Sequence, residues 1–495
     1  MSGRREDTFV VVDVSPAYIR LGVGVHEVIA PPRLEVPGVV AVKASGSSKS
    51  NTSGQQDYLA GYALQQAESS GETLNYTHPL VWADSSVGIS DWSAFEALLR
   101  YALFTALALP TRPLGYHFMF LFPASLSQDE KEQLTQLLFE KLHLSAVMMF
   151  DRPTAELYAS NFISGMVIDI LPKSTEVSLI AENDTLVQLS NPLGEQDCDA
   201  WLSHLLLRAN PSLPSLLSPS SPLEGAALTS AMARLITQLK RANAISFVSD
   251  LVHLQRPEHN EPPPDLDSAQ APPVEAPQEE GSNDVAEALL SGNMDKLINK
   301  NKAAAPAPAD EGDSNTFHVP HPLNISLPPI PVGPERHRWA EPLFDNTLLL
   351  QCGYTQQDLE KKLTLVEAVL GAVRGLPAVF PLRKASLTWE HVVLGNYAAR
   401  VQDLGLAICT ALSDVLVDRS KHPADPSRAV PTLAKMPEYF SEYKTRPDWV
   451  SYLGGCILAK LFFSDNMPTK AFYTKVDYNE MGPALVRQMG TTAEA

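Results

Sequence analysis

Thr8 to Asp13 (TFVVVD) is an apolar run closed by a carboxylate, the pattern of a buried strand, and Arg20 to His26 (RLGVGVH) predicts the second strand of a hairpin. From Ser90 the period changes: Trp92, Phe95, Leu98, Leu99, Ala102 and Leu103 recur at helical spacing. His117 to Phe122 (HFMFLF) predicts a strand. Ser127 with Glu130 predicts a capping box opening a helix that carries Leu134, Leu137, Leu138 and Leu142 on one side. Val147 to Phe150 reads as a short strand, and Arg152 to Tyr158 as the entry to a helix. Gly165 to Asp169 (GMVID) predicts a second buried strand, with Glu176 to Ile180 as its hairpin partner. Helical spacing returns at Asp199–Ala209, Ala226–Ala244, Leu359–Val373, Arg400–Val417 and Trp449–Phe462, and Glu390–Leu394 reads as a strand ending at Gly395.

The segments opening at Phe9 and Met166 share one plan: apolar residues, an aspartate, a turn, a second strand. That duplication predicts an α/β fold of two lobes, each a mixed sheet flanked by helices. Residues 44–56 form a Ser/Gly/Asn-rich loop. Residues 256–338 are rich in Pro, Ala, Glu and Asp and poor in aromatics, which predicts a largely disordered insertion, since burial there does not offset the entropy of ordering. One island inside it, Val285–Lys302, has helical spacing and reads either as a docking helix or as a local helical fluctuation.

A length of 495 residues corresponds to about three domain-sized units. The net charge of −19, from 38 basic and 57 acidic residues, excludes unaided binding to a nucleic-acid backbone. Lys240-Arg241 is the nearest basic pair and reads as a solvated helix face. No apolar run approaches the ~20 residues of a membrane span, and the N-terminus lacks a secretory apolar region, so no membrane partner is expected. With no strong basic cluster for nuclear import, nuclear entry would go with a partner. Cys198, Cys352, Cys409 and Cys456 are too dispersed for a zinc or disulfide framework, and the HxxH of His318 and His321 is flanked by prolines.

Beyond these patterns, several segments carry a resemblance. YLGGCILAKL (452–461), the Tyr-x-Lys-x-Asp-Tyr that follows it, and Gly482-Pro483 are similar to the C-terminal region of actins. LTQLLF (134–139), ELYAS (156–160) and LGEQDCDAWLSHLLL (193–207), with the strands ending at Asp13 and Asp169, resemble further actin segments in the same order. The resemblance implies an actin-like fold of two RNase H-like lobes. The first is residues 1–165, with 450–495 returning to it, and the second is 166–255 with 339–449. It also implies ATP and a divalent cation between the lobes, and puts Asp13, Arg20, Asp169, Lys240 and Gly395 on the nucleotide side.

The residues depart from that pattern. Asp13 is followed by Val14, Ser15, Pro16 and Ala17 where actins are glycine-rich, and Pro16 lacks a backbone donor. Ile170, Leu171, Pro172 and Lys173 replace the second loop. Arg152 stands where actins place the glutamine that orients the attacking water, and a guanidinium accepts no proton. Gly395-Asn396 replaces a double glycine, and Asp448 a lysine near the adenine. ATP hydrolysis is therefore not expected, and the cofactor reading is none, with a structurally bound ATP as the alternative. Asp13 and Asp169 remain as a carboxylate pair, read either as a water-mediated Mg²⁺ site or as caps of two turns. Tyr158, Leu453, Ile457, Leu458 and Leu461 match the groove into which actin partners insert an amphipathic helix, or else pack their helix onto its own lobe.

EVPG (35–38), YLAGYAL (58–64), EPLF (341–344) and PEYFSEY (437–443) resemble the ninth class of fungal actin-related proteins. That resemblance implies a nuclear, non-catalytic scaffold subunit of SWI/SNF or RSC chromatin remodellers. The implied partners are a second actin-related protein, the helicase/SANT-associated helix of the remodelling ATPase, and other remodeller subunits. The alternative is a divergent actin-related subunit of the dynactin pointed end.

Overall fold

Both apolar runs that end in aspartate become central strands. In the computed structural model, Phe9–Val14 pairs antiparallel with Tyr18–Val23, which pairs antiparallel with Leu34–Pro37. On its other side Phe9–Val14 runs parallel to His117–Phe122, and that strand runs parallel to Ala146–Asp151. The second sheet repeats this order. Gly165–Ile170 pairs antiparallel with Thr175–Ala181, then Asp184–Asn191, and runs parallel to His391–Gly395, then Thr432–Leu433. The α/β fold is thus actin-like, with two mixed sheets of one topology flanked by helices. The structure describes residues 8–25, 29–44, 57–83, 86–218, 222–248, 316–324, 326–377, 382–417, 425, 428–463 and 472–488. The island at 285–302 and most of the 44–56 loop lie outside them.

The shared register places equivalent chemistry in each sheet. Asp13 sits opposite Arg20, and Asp169 sits opposite Glu176 and beside Gly395. The capping box of Ser127 and Glu130 forms, and Glu130 also accepts from the Ile89 amide at 2.9 Å. Residues 450–463 and 472–488 return to the first sheet, where Tyr473–Thr474 pairs with Ala146–Asp151. Two core clusters fill the lobes, and a third, centred on Leu453, Leu458 and Ala155, draws on both sheets through Met119, Leu121, Val167 and Val393.

Three expectations change. Residues 316–338 do not belong to a disordered insertion. Phe317–Val319 and Ile330–Val332 form a hairpin whose Val319, Ile330 and Val332 enter the second-lobe core. A few alternating apolar residues were hidden by the composition of the longer Pro/acid-rich stretch. His321 is buried in the same hairpin. Its Nδ1 accepts from the Leu323 and Asn324 amides, and its Nε2 lies 3.2 Å from the Leu216 carbonyl, so both nitrogens serve the turn. Leu359–Val373 is not one helix. Asn191 exchanges two hydrogen bonds with the backbone of Leu363 (2.7 and 2.8 Å), and Thr364 with Glu367 caps a new start at Leu365. The helix expected from Arg400 begins at Leu404, behind a 3₁₀ turn at Tyr397–Arg400.

The Gly-Gly of YLGGCIL has a steric cause. A Cβ on Gly454 would lie 1.7 Å from the Ala155 carbonyl oxygen, and one on Gly455 would lie 2.7 Å from Leu121. These glycines let helix Val450–Phe463 press against helix Arg152–Ala159 and against the first sheet. Gly454→Ala gains about 1 kcal/mol in helix propensity. It must also displace a backbone carbonyl, and the overlap dominates. We expect Gly454→Ala to lower the thermal midpoint sharply or abolish soluble expression, as read by scanning fluorimetry.

Candidate functional site: the interlobe cleft

The cleft between the sheets is built around a side chain that opens a helix. Arg152 follows strand Ala146–Asp151 as the first residue of helix Arg152–Ala159 and is 2 % exposed. Its Nε donates to Asp13 Oδ1 at 2.7 Å, and its Nη1 lies 3.8 Å from Asp169 Oδ2. Its Nη2 is within reach of Ser451 Oγ (3.1 Å), the Tyr18 hydroxyl (3.2 Å), Asn396 Oδ1 (3.4 Å) and Glu156 Oε1 (3.5 Å). Both sequence readings of Asp13 and Asp169 are corrected here. The two carboxylates neither cap turns nor face each other across a gap for an ion, because one guanidinium lies between them. At an interior dielectric this pairing is strong, and removing one partner of a buried pair costs about 3–5 kcal/mol.

The remaining groups complete a buried network. Ser451 Oγ donates to Asp13 Oδ2 at 2.7 Å. The Tyr18 hydroxyl donates to Asn396 Oδ1 at 2.8 Å, and Asn396 Nδ2 donates to Asp169 Oδ1 at 2.5 Å. Asn396 has φ +54° and ψ −152°, a region that glycine alone occupies without strain. Gly395 is glycine for another reason: a Cβ there would lie 2.1 Å from Asp169 Oδ1 and 2.8 Å from Glu156 Oε2.

Carboxylates outnumber the cation. Glu156 is fully buried with no hydrogen bond to either oxygen, and burial, reinforced by the Asp169 charge, pushes its carboxyl well above the usual range. Burial also raises Asp169, against the pull of Arg152. Glu176 is pushed up to about 7 by burial, with the Asp169 charge adding to it and Arg152 opposing.

Arg20 does not reach this centre. Its guanidinium pairs with Asp448 Oδ2 at 2.9 Å and Glu35 Oε2 at 2.6 Å, and stacks 3.6 Å from the Tyr18 ring centroid. Asp448 gathers Arg446 as well, at 2.8 Å. Lys240 is elsewhere and corrects its reading as a solvated residue. Its ammonium pairs with Glu195 (3.0 Å) and Asp199 (2.9 Å) and faces the Trp339 and Tyr397 rings, while Arg241 is exposed. In the second predicted set, Leu453 and Leu458 are fully buried in the third core cluster and offer no surface to a partner. Tyr158 and Ile457 are half-buried and Leu461 is exposed.

These residues do not fit ATP with a divalent cation. The turn after Asp13 closes on itself through the Ser15 amide to the Tyr18 carbonyl (2.9 Å), and the turn after Asp169 through the Leu171 amide to the Ser174 carbonyl (2.7 Å). Between the turns lies a cavity of about 550 Å³ whose lining includes Pro16, Ala17, Leu171 and Pro172, together with Lys173, His78, Ser174 and Gln196. Pro16 and Pro172 have no amide to offer, so these turns lack the run of converging backbone donors a polyphosphate needs.

Sequence reasoning noted Arg152 only as a lost glutamine and missed Tyr18, Glu156, Glu176 and Ser451. Arg152 and Glu156, four residues apart on one helix face, and Glu176 in an otherwise apolar strand were the available signals.

Residues 4–214 match the family described as Actin. The chain carries an actin-family domain. The chain is 22% identical over 436 residues to the SWI/SNF and RSC complexes subunit arp9 of Schizosaccharomyces pombe, covering 80% of this chain and 77% of that protein. It is 24% identical over 402 residues to actin-related protein 7 of Oryza sativa (81% and 83% of the two chains). It is also 28% identical over 138 residues to actin-related protein 7 of Arabidopsis thaliana (28% and 38%).

Between pH about 4.5 and about 7, Glu176 binds its proton in the folded chain but not in the unfolded one. That contribution to stability is complete below about 4.5 and is lost as pH rises through about 7, amounting to on the order of 3 kcal/mol. Denaturant unfolding of Glu176→Gln should match the wild type near the acid end and exceed it above pH 8.

Proposed function

We propose that this chain is a non-catalytic scaffold subunit of a nuclear SWI/SNF- or RSC-type chromatin remodeller. In this reading it pairs with a second actin-related protein on the helicase/SANT-associated helix of the remodelling ATPase. The observation that carries the reading is the match to a named subunit of those complexes along about four-fifths of this chain. The cleft supports the non-catalytic part: Arg152, which by the resemblance to actins stands in place of the water-orienting glutamine, pairs with the carboxylates that would organise a metal. The net charge of −19 favours a basic helical partner through long-range attraction. Tyr158, Ile457 and Leu461, beside Phe150 and Phe462, supply an apolar seat of the kind an amphipathic helix fills.

Mild-salt purification of the tagged protein followed by mass spectrometry tests the assignment. A remodelling ATPase and a second actin-related protein should co-purify. Recovery of dynactin subunits without a remodelling ATPase would contradict it. The purified chain should release no phosphate from ATP above the blank. Ile457→Asp should weaken the association by about tenfold or more, the equivalent of ~1.4 kcal/mol, while leaving the thermal midpoint of the isolated chain near that of the wild type.

A further inference from the structure

We propose that the Arg152 guanidinium, together with Tyr18 and Asn396, replaces a bound nucleotide and cation as the tie between the two lobes, so that the closed cleft is a built-in state of this chain. The contacts join the two sheets. Asp13 and Tyr18 lie on the first sheet and Ser451 on a helix packed against it, Asp169 and Asn396 lie on and just after strands of the second, and Arg152 opens a helix that packs against both. Arg152 reaches both carboxylates, and the Tyr18 hydroxyl crosses to Asn396 at 2.8 Å. Asp13, Arg152, Asp169 and Asn396 are each at most 3 % exposed, so water does not screen these bonds. Arg20 adds a second crossing to Asp448 at the same side of the cleft.

The backbone of Asn396 argues that the tie has a job of its own. It keeps a conformation that favours glycine, yet carries a side chain. That side chain accepts from Tyr18 and Arg152 and donates to Asp169, and these bonds offset the strain. An asparagine placed only to fill space would have no reason to occupy that region of backbone.

The ordering of variants follows from this. Asn396→Gly loses the bonds but relaxes the backbone, while Asn396→Ala loses the bonds and keeps the strain. In scanning fluorimetry of the full chain, Asn396→Ala should therefore melt below Asn396→Gly, and both below the wild type. Arg152→Gln should lower the midpoint by on the order of 5 °C, and Arg152→Lys by less, because a point charge restores part of the pairing. Millimolar MgATP or EDTA should leave the wild-type midpoint unchanged. Tyr18→Phe removes one hydroxyl with little risk to folding, and its loss should be smaller in the Asn396→Ala background, where only the bond from Arg152 to that hydroxyl is left to lose. A wild-type midpoint raised several degrees by MgATP, an Asn396→Gly variant as stable as the wild type, or additive losses from Tyr18→Phe and Asn396→Ala would each overturn the proposal.

Discussion

A single guanidinium among buried carboxylates is the constraint around which the rest of this cleft is arranged. Arg152 is 2 % exposed, and Asp13, Glu156 and Asp169, all buried, crowd it. In such a medium a charge is tolerated only when paired, and each carboxylate in excess of the cation keeps a proton or raises its energy. The consequences reach outward: Glu156 is pushed toward its neutral form, Glu176 is lifted to about 7, and Gly395 has no room for a side chain. The network also depends on backbone placement. Gly454 lets helix Val450–Phe463 approach the Ala155 carbonyl, which brings Ser451 within 2.7 Å of Asp13.

The duplicated sheet explains why these groups meet. The same register puts an aspartate next to last in each first strand, so the lobes present Asp13 and Asp169 as counterparts. An actin-type cleft puts glycine amides and a cation between such residues. Here the turns carry Pro16 and Pro172, the Ser15 and Leu171 amides close them internally, and a side chain of the protein supplies the positive charge. The sheet topology is actin-like, with the proposed structural tie at its centre.

Much of the fold was legible because its strongest elements are local. The capping box at Ser127, the strand His117–Phe122 and both hairpins follow from short patterns whose burial agrees with their period. The misreadings came from distant partners. Nothing near Leu363 announces that Asn191 will take its backbone bonds, and nothing in a proline-rich stretch announces that Ile330 will find a core. The site followed the same rule. Asp13 and Asp169 were visible as strand ends, but the role of Arg152 depends on Asn396, which lies 244 residues away. Leu453 and Leu458 show the limit of a matched motif, since apolar residues at the right positions can be core as readily as surface.

A crystal structure of the full chain grown in saturating MgATP bears most directly on the central claim. The account predicts density for the Arg152 guanidinium between Asp13 and Asp169, with the Tyr18–Asn396 bond intact and no polyphosphate between the turns. A nucleotide held by a metal ion at those aspartates, with Arg152 displaced, would contradict it.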